Sequence, residues 1–371
     1  MSTIKVLEVI RQGQIGGGES HLIDLISGFG PEIHPVVLSF TPGRMIDHLK
    51  EKGITCYVIE TSHAFDFNVQ QKIKRILKKE QIELIHVHGS RAASNMVLLS
   101  KLMKIPMIYT VHGWSFHPDQ SGLIRWLRIL SEKIICRSSR KVICVSESNR
   151  QTGQKSFGLK NAMVIENGID LNRFNPEQSF ANIRKELGIQ RTDFVVGFIG
   201  RITVQKDPLT FVKGIEKAHS LEKEIKGLLV GDGDLKEKVR TYIGNNHLDE
   251  IIFTSSFRTD IPDVLNAIDV FCLPSLWEGL SIALLEAMAM KRTVIATPTD
   301  GTKEIIQDGD NGTLTTFSDS DRLAEKILDY YNDRVKCRKH GENAAQLVKN
   351  RFNSEAVSKQ VSALYSEIIN D

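Results

Sequence analysis

The sequence predicts an α/β protein built from two doubly wound parallel sheets. Short runs rich in β-branched residues alternate with longer helical patterns along nearly the whole chain, as they do in consecutive βαβ units. The length of 371 residues suits two domains of ordinary size. Turn-forming residues interrupt the alternation at 167–170 and 175–176, after which it restarts. We therefore expect one sheet on each side of residue 170.

The first half is predicted to contain six strands and six helices. The strands are expected at 4–10, 34–40, 54–59, 83–88, 106–111 and 141–145. The helices are expected near 19–28, 43–52, 69–80, 91–104, 121–136 and 147–157.

The second half repeats this pattern and ends in a helical tail from 318 to 370. Its strands are expected at 194–199, 227–230, 251–253, 270–273 and 293–296. Ligands of doubly wound sheets bind beyond the carboxyl ends of the strands. If two such edges face each other, the cleft between the domains is the expected ligand site.

Composition narrows the class of protein. Apolar residues make up 41% and charged residues 25% of the chain, which is the ordinary balance of a globular protein. A net charge of +3 indicates no bulk affinity for nucleic acid. Five cysteines without a C-x-x-C pair argue against a disulfide framework or a zinc site and fit a reducing compartment. With neither a signal-peptide pattern nor a transmembrane run, the chain is expected in the cytoplasm.

A glycine-rich loop follows the first predicted strand and contains Gly13 and 16–18. The dinucleotide pattern G-x-G-x-x-G fails because His21 stands where its last glycine is needed. The P-loop pattern fails because Glu19 replaces the lysine that attracts phosphates. Binding of NAD and hydrolysis of ATP or GTP are therefore disfavoured. Two interpretations stay open: a helix N-terminus that contacts a ligand through backbone N–H groups, or a tight turn without a ligand.

A cationic loop follows strand 194–199, where Arg201 and Lys206 precede Pro208. The proline suits the first turn of a helix, so both cations are expected at the carboxyl end of a strand. An arginine fork with a lysine point charge is suited to a diphosphate. The alternative is a pair of solvated surface cations.

The segment 276–290 carries a carboxylate in an unusual place. Glu286 stands in an otherwise apolar helix, and a buried carboxylate needs a partner such as the hydroxyls of a sugar. Ser281 is a suitable N-cap, so 279–281 would offer backbone donors to an anion. The Asp-x-Asp segments 232–234 and 308–310 are predicted to be turns, and we expect no required metal.

The ordered set of these motifs resembles the retaining glycosyltransferases of the GT-B fold, especially glycosyltransferase family 4. The similarity spans nearly the whole chain. The matching segments are 16–19, 110–113, 145–147, 167–170 with Arg173 and Phe174, Gly200 and Arg201 with Lys206, 230–233, Glu278 with Glu286, and Arg351 and Phe352 with the helix ending near Tyr365. At 300–304 the chain departs from the family's Gly-Gly-x-x-Glu stretch, with Asp300 in place of a glycine and Lys303 where a proline is common.

The resemblance implies two Rossmann-like domains facing across a cleft. Residues 1–170 would form the acceptor-side domain, 171–352 the nucleotide-sugar-binding domain, and 353–371 a helix crossing back to the first. The implied catalytic residues are His112, Arg201, Lys206 and Glu278. The implied donor-binding residues are Gly17, Gly18, Gly200, Arg201, Lys206, Gly279, Leu280, Ser281 and Glu286. Gly16 and Glu19 would lie on the acceptor side.

The resemblance also implies the reaction. Arg201 and Lys206 would neutralise the departing diphosphate, Glu286 would bind the ribose and His112 would lie beside the reacting carbon. The activity would be retaining transfer from a nucleotide sugar, with UDP favoured, to a glycan or lipid-linked acceptor of cell-surface polysaccharide, without metal or cofactor and without nucleic acid. A GT-B-fold epimerase and a non-catalytic sugar-nucleotide-binding subunit stay open as alternatives.

The segment 121–141 is both apolar and strongly basic. Such a helix either rests on an anionic membrane surface, which would place the chain at the inner face of the membrane, or packs its apolar face on the sheet with its charges solvated. The sequence leaves both interpretations open.

Overall fold

The chain folds into two compact units, seen in a computed structural model that describes residues 3–14, 16–61, 63–117 and 120–371. The first unit comprises Met1–Gly168 together with Ser354–Asp371, and the second comprises Ile169–Asn353. Among the described residues, no helix combines the length and the apolar character needed to cross a bilayer.

The first unit contains a seven-stranded parallel sheet in the order β3-β2-β1-β4-β5-β6-β7. Its strands are β1 Ile4–Ile10, β2 Ile33–Ser39, β3 Thr55–Val58, β4 Leu84–His88, β5 Met107–Val111, β6 Lys141–Cys144 and β7 Ala162–Val164. Its first six helices are α1 Gly17–Ser27, α2 Arg44–Glu51, α3 Gln70–Lys79, α4 Ser90–Met103, α5 Gly122–Ser138 and α6 Glu147–Phe157.

The second unit contains a six-stranded parallel sheet in the order β10-β9-β8-β11-β12-β13. Its strands are β8 Phe194–Ile199, β9 Ile225–Val230, β10 Ile252–Ser255, β11 Val270–Leu273, β12 Thr293–Ala296 and β13 Thr313–Leu314. Its helices are α7 Ile183–Leu187, α8 Pro208–Leu221, α9 Lys236–Asn245, α10 Ile261–Ala267, α11 Ile282–Ala289, α12 Thr302–Ile305, α13 Ser320–Asn332 and α14 Arg334–Arg351.

The last helix, α15 Ser354–Asn370, belongs to the first unit. It places Val361, Leu364 and Tyr365 in a buried apolar cluster with the start of β1 and with α1. Ser358 Oγ donates a hydrogen bond of 3.0 Å to the backbone carbonyl of Leu25. A Cβ at Gly28 would overlap the Ser358 side chain, so glycine is required where α1 ends against α15.

The predicted doubly wound α/β architecture is confirmed, with all the predicted strands present to within two residues at either end. Sequence patterns missed β7 and β13, because strands of three and two residues are too short to show a period. The strand order reverses between β1 and β4 in the first sheet and between β8 and β11 in the second. Such switch points are where doubly wound sheets bind ligands.

Candidate active-site residues in the two units

In the second unit, the loops that follow β8 and β11 lie side by side because these two strands are neighbours. Residues 204–206 form a single 3₁₀ turn in the first of these loops. The backbone N–H of Leu276 donates to the Gln205 carbonyl at 2.8 Å, and Gln205 Nε2 donates to the Trp277 carbonyl at 2.9 Å. The turn and the loop after β11 are therefore held together at the switch point.

Lys206 and Glu278 form an ion pair between these two loops, although they are 72 residues apart in sequence. Their side chains are only 12% and 10% exposed. Little water therefore screens the pair, and removing one partner would leave the other charge poorly solvated. The sequence placed both residues in the candidate site but did not predict that they contact each other.

Arg201 lies on the same loop but is exposed to solvent. Within the described part of the chain its guanidinium makes neither a hydrogen bond nor an ion pair. The loop thus carries one paired cation, Lys206, and one solvated cation, Arg201.

Asp207 ends the 3₁₀ turn in a left-handed conformation (φ 45°) and caps α8 by accepting hydrogen bonds from Thr210.

Two glycines allow backbones to approach closely at this edge of the second sheet. Gly231 has a φ of 151°, and a Cβ there would overlap the Gly200 carbonyl oxygen at the end of β8. A Cβ at Gly301 would overlap the Gly279 carbonyl oxygen. The segment 300–304 therefore lies directly against the Glu278 loop, despite its departure from the family pattern.

Helix α11 follows the Glu278 loop and carries Glu286, which is 8% exposed, as its apolar surroundings predicted. Leu280 and Ser281 are also buried. Ser281 is the N-cap residue of this helix, as predicted, although its hydroxyl makes no capping hydrogen bond. Its extended backbone (φ −73°, ψ 120°) suffices to start the helix.

The two Asp-x-Asp segments form turns, as predicted. Asp232 accepts a hydrogen bond from the backbone N–H of Gly233 and pairs with Lys236 at 2.8 Å. Asp308 accepts from the backbone N–H of Leu314 at 2.8 Å. Both carboxylates serve their own turns. All five cysteines are free thiols.

In the first unit, the glycine-rich loop leads into α1 at the end of β1. Gly16 is the extended N-cap residue, so the helix starts at Gly17 and not at residue 19 as predicted. A Cβ at Gly18 would lie 3.8 Å from His112 Cδ2. Glu19, in the first turn of the helix, is mostly buried. Ile15 of the predicted loop lies outside the described residues.

His112, just beyond β5, belongs to a cluster of titratable groups that the sequence did not predict. His88 Nδ1 lies 3.2 Å from His112 Nε2, and His88 Nε2 lies 2.9 Å from Glu8 Oε2. Tyr365 of α15 donates its hydroxyl proton to Glu8 Oε1 at 2.7 Å. His21 stands edge-on to His112, with the ring centres 5.1 Å apart.

His86 lies on the far side of the same cluster. Its Nδ1 contacts the Tyr365 hydroxyl at 2.5 Å, and its Nε2 contacts Thr110 Oγ1 at 2.7 Å. The register places Glu8 of β1 directly opposite His86 of β4. A lone glutamate in the otherwise apolar second half of β1 was the signal in the sequence that would have indicated this cluster.

Burial sets the charge states in the cluster. Burial, together with the neighbouring His88, lowers the pKa of His21 to about 3, and burial with His86 nearby lowers the pKa of His88 to about 4. Burial likewise holds the pKa of His112 well below its usual range. Burial acts to raise the pKa of Glu8, but the facing His86 and His88 outweigh it and lower that pKa well below its ordinary value.

Helix α5 of the first unit presents an exposed apolar surface, as one of the two interpretations of this segment requires. Residues 121–128 are all exposed. They include Leu123 and Trp126, which are 69% and 59% exposed, together with Ile124 and Leu127. The interpretation in which this helix packs its apolar face on the sheet is therefore wrong for its first two turns.

Comparison with known proteins follows the division into two units. The model for Glycosyltransferase Family 4 matches residues 15–173, and the model for Glycosyl transferases group 1 matches residues 179–347. The Escherichia coli enzyme UDP-Gal:alpha-D-GlcNAc-diphosphoundecaprenol alpha-1,3-galactosyltransferase is 28% identical, over 80% of this chain and 78% of its own. The N-acetyl-alpha-D-glucosaminyl L-malate synthase of Bacillus anthracis is 25% identical, over 92% and 91% of the two chains.

A solved structure shares the fold across the full length. Anabaena HepE, crystallised with UDP and glucose, superposes with a TM-score of 0.87 at 23% identity, covering 98% of this chain and 99% of its own. The likeness to this structure shows the GT-B fold, and the two family models specify the class of enzyme. The chain belongs to the GT-B-fold glycosyltransferases of the family 4 type.

Proposed function

We propose that this chain is a retaining glycosyltransferase that moves a hexose from a UDP-sugar to a lipid-linked or glycan acceptor in cell-surface polysaccharide synthesis. No metal or other cofactor takes part. The observation that carries the proposal is the Lys206–Glu278 pair at the switch point of the second sheet. UDP is favoured because the Escherichia coli relative is named for a UDP-sugar donor and HepE was crystallised with UDP.

On the donor side, Lys206 and Arg201 neutralise the diphosphate. Negative charge builds on the leaving group as the glycosidic bond breaks, so a fixed cation stabilises the transition state more than the ground state. Lys206 is held in place by Glu278, whereas the solvated Arg201 is available to fold over the bound diphosphate. The two cations supply the charge that a divalent metal provides in other phosphate-transfer sites.

The sugar and the nucleoside are assigned to the loop after β11 and to α11. Glu278 and the amides of 279–281 hold the donor sugar, and Glu286 accepts hydrogen bonds from the ribose hydroxyls. The burial of Glu286 in an apolar helix supports this role, because a carboxylate in such a place is suited to specific hydroxyl donors. His112 of the first unit contacts the donor sugar, and Gly16 and Glu19 line the acceptor side.

A lipid-linked acceptor is supported by the exposed surface of α5. Its apolar side chains alternate with Arg125 and Arg128, so the same helix offers insertion into lipid and attraction to anionic headgroups. The Escherichia coli relative is named for a diphosphoundecaprenol-linked acceptor. We propose that α5 holds the enzyme at the membrane surface where such acceptors reside.

Thermal unfolding in the presence of a donor panel tests the nucleotide assignment. With EDTA present, UDP-sugars are expected to raise the melting temperature by a few degrees, as bound ligand does when it exceeds its dissociation constant. GDP- and ADP-sugars should leave it unchanged. A shift with the GDP series alone would overturn the UDP assignment, and a shift that appears only when a divalent cation replaces EDTA would overturn metal independence.

A further inference from the structure

The hydrogen-bond chain from Tyr365 to His112 has a definite direction. A tyrosine hydroxyl has one proton, and Tyr365 donates it to Glu8 Oε1. An ionised carboxylate can only accept, so the contact of Glu8 Oε2 with His88 must be a donation from His88 Nε2–H. In a neutral imidazole the other nitrogen is then an acceptor, so His88 Nδ1 accepts the proton of His112 Nε2 at 3.2 Å.

We propose that Tyr365, Glu8 and His88 are positioning residues that fix His112 in its neutral Nε2–H tautomer. His112 Nδ1 is left as a hydrogen-bond acceptor, and within the described residues it has no partner. The ligand class that fits an imidazole acceptor of this kind is a hydroxyl donor, and on the proposed function this is a hydroxyl of the donor sugar. The inference thus deepens the proposed function by giving His112 a defined protonation state.

The charge state of Glu8 decides the donor-to-acceptor direction of this hydrogen-bond chain. A protonated Glu8 could donate to His88 Nε2, which would reverse each later bond and leave His112 with a proton on Nδ1. Such a His112 could no longer accept from a sugar hydroxyl. The low pKa values of Glu8 and His88 favour the first direction, because they keep the carboxylate charged and the ring neutral.

The rest of the cluster supports the same arrangement. Since Tyr365 donates its proton to Glu8, it accepts from His86 Nδ1–H, which also lies 3.2 Å from Glu8 Oε2. His86 Nε2 is then left to accept from the Thr110 hydroxyl. Both ring nitrogens of His86 and of His88 then have a partner, and so does each oxygen of Glu8. Helix α15 contributes Tyr365, so this helix takes part in setting the tautomer of His112.

Nitrogen-15 NMR of histidine-labelled protein without donor tests the proposal directly. Ring nitrogens with and without a proton have distinct shifts, and the His112 signals are identified among the eleven histidines by their loss in His112→Asn. The wild type is expected to show protonated Nε2 and unprotonated Nδ1 at both His88 and His112. A protonated Nδ1 at His112 in the wild type would overturn the proposal without any further variant.

Two variants perturb the hydrogen-bond chain, and a third serves as a control. In Glu8→Gln the carboxamide can donate as well as accept, so a population of His112 with protonated Nδ1 should appear. His88→Phe removes the acceptor and should leave His112 in a mixture of both tautomers. The Thr110 hydroxyl contacts only His86 in this cluster, so Thr110→Val should leave the tautomer of His112 unchanged. A His112 tautomer unaffected by both Glu8→Gln and His88→Phe contradicts the proposal.

Turnover separates this inference from the proposed function. Loss of one hydrogen bond to the substrate should lower kcat about 10-fold in Glu8→Gln, with donor KM changed less. If the tautomers are those expected but the wild type turns over no donor, the hydrogen-bond chain is supported and the proposed function is contradicted. If transfer occurs but the wild-type tautomer is the opposite one, the positioning role alone fails.

A bound metal is the competing explanation. Ring nitrogens of His21, His88 and His112 lie within 4.8 Å of one another, which is compatible with a three-histidine site. Elemental analysis of the purified protein is therefore part of the test. A stoichiometric divalent metal whose removal shifts the signals of all three histidines would overturn the proposal. Absence of such a metal from protein that shows the expected tautomers would support it.

Discussion

Replacing Lys206 with alanine is expected to lower turnover about 10²- to 10³-fold, because one preorganised charge aimed at a developing anion is worth about 3–4 kcal/mol. The loss should fall on kcat more than on donor KM, since the leaving diphosphate gains its charge only as the bond breaks. Truncation also leaves Glu278, 10% exposed, without its ion-pair partner. The measurement is steady-state transfer from the best donor of the thermal-unfolding panel.

Lys217→Ala is the matched control for this experiment. Lys217 also belongs to the second unit and also pairs with a carboxylate, Asp321, but both side chains are well exposed. Exposed pairs contribute about 0–1 kcal/mol, so this variant should keep turnover near that of the wild type. Equal turnover in Lys206→Ala and Lys217→Ala would remove Lys206 from the catalytic residues.

The exposed Arg201 should behave like Lys206 if it folds onto the diphosphate, with a comparable loss in Arg201→Ala.

Replacing Leu123 and Trp126 together with serine is expected to weaken binding to anionic lipid vesicles about 10²-fold. Burying each of these side chains in lipid is worth about 1.5 kcal/mol or more, and both are largely exposed to solvent in the protein. Their removal disturbs no core, so melting temperature and donor binding should stay unchanged. Vesicle co-sedimentation with phosphatidylglycerol measures the effect.

The control replaces Leu221 and Val335 with serine. These side chains are 70% and 69% exposed, comparable to Leu123 and Trp126, but they belong to the second unit and not to α5. Vesicle binding of this control should equal that of the wild type. Equal losses in the two double variants would show that general surface hydrophobicity, rather than α5, drives the association, and no binding by the wild type would remove α5 as a membrane contact.

The fold could be predicted because its signals are local. The β-branched runs and the glycine turns of each βαβ unit lie within about thirty consecutive residues. The burial of Glu286 could be predicted for the same reason, since its helix has no other polar side chain with which to form a wet face. Only the short edge strands β7 and β13 were missed, because their stability comes from pairing with a neighbour.

The contacts within the candidate site depend on strand order, which sequence periodicity does not supply. Lys206 meets Glu278 because β8 lies beside β11. Glu8 meets His86 and His88 because β1 lies beside β4. The histidines were each visible in the sequence, but their spacing along the chain matched no metal pattern, and their grouping appears only once parallel strands align their carboxyl ends.

The anomeric configuration of the first product tests the central claim most directly. The enzyme is incubated with an α-linked UDP-hexose, a polyprenyl-diphosphate-linked N-acetylhexosamine and EDTA, and the new linkage is determined by proton NMR. Retaining, metal-independent transfer predicts an α-linked product formed at the same rate with and without EDTA. A β-linked product, or transfer that stops in EDTA and returns with added magnesium, would contradict the account.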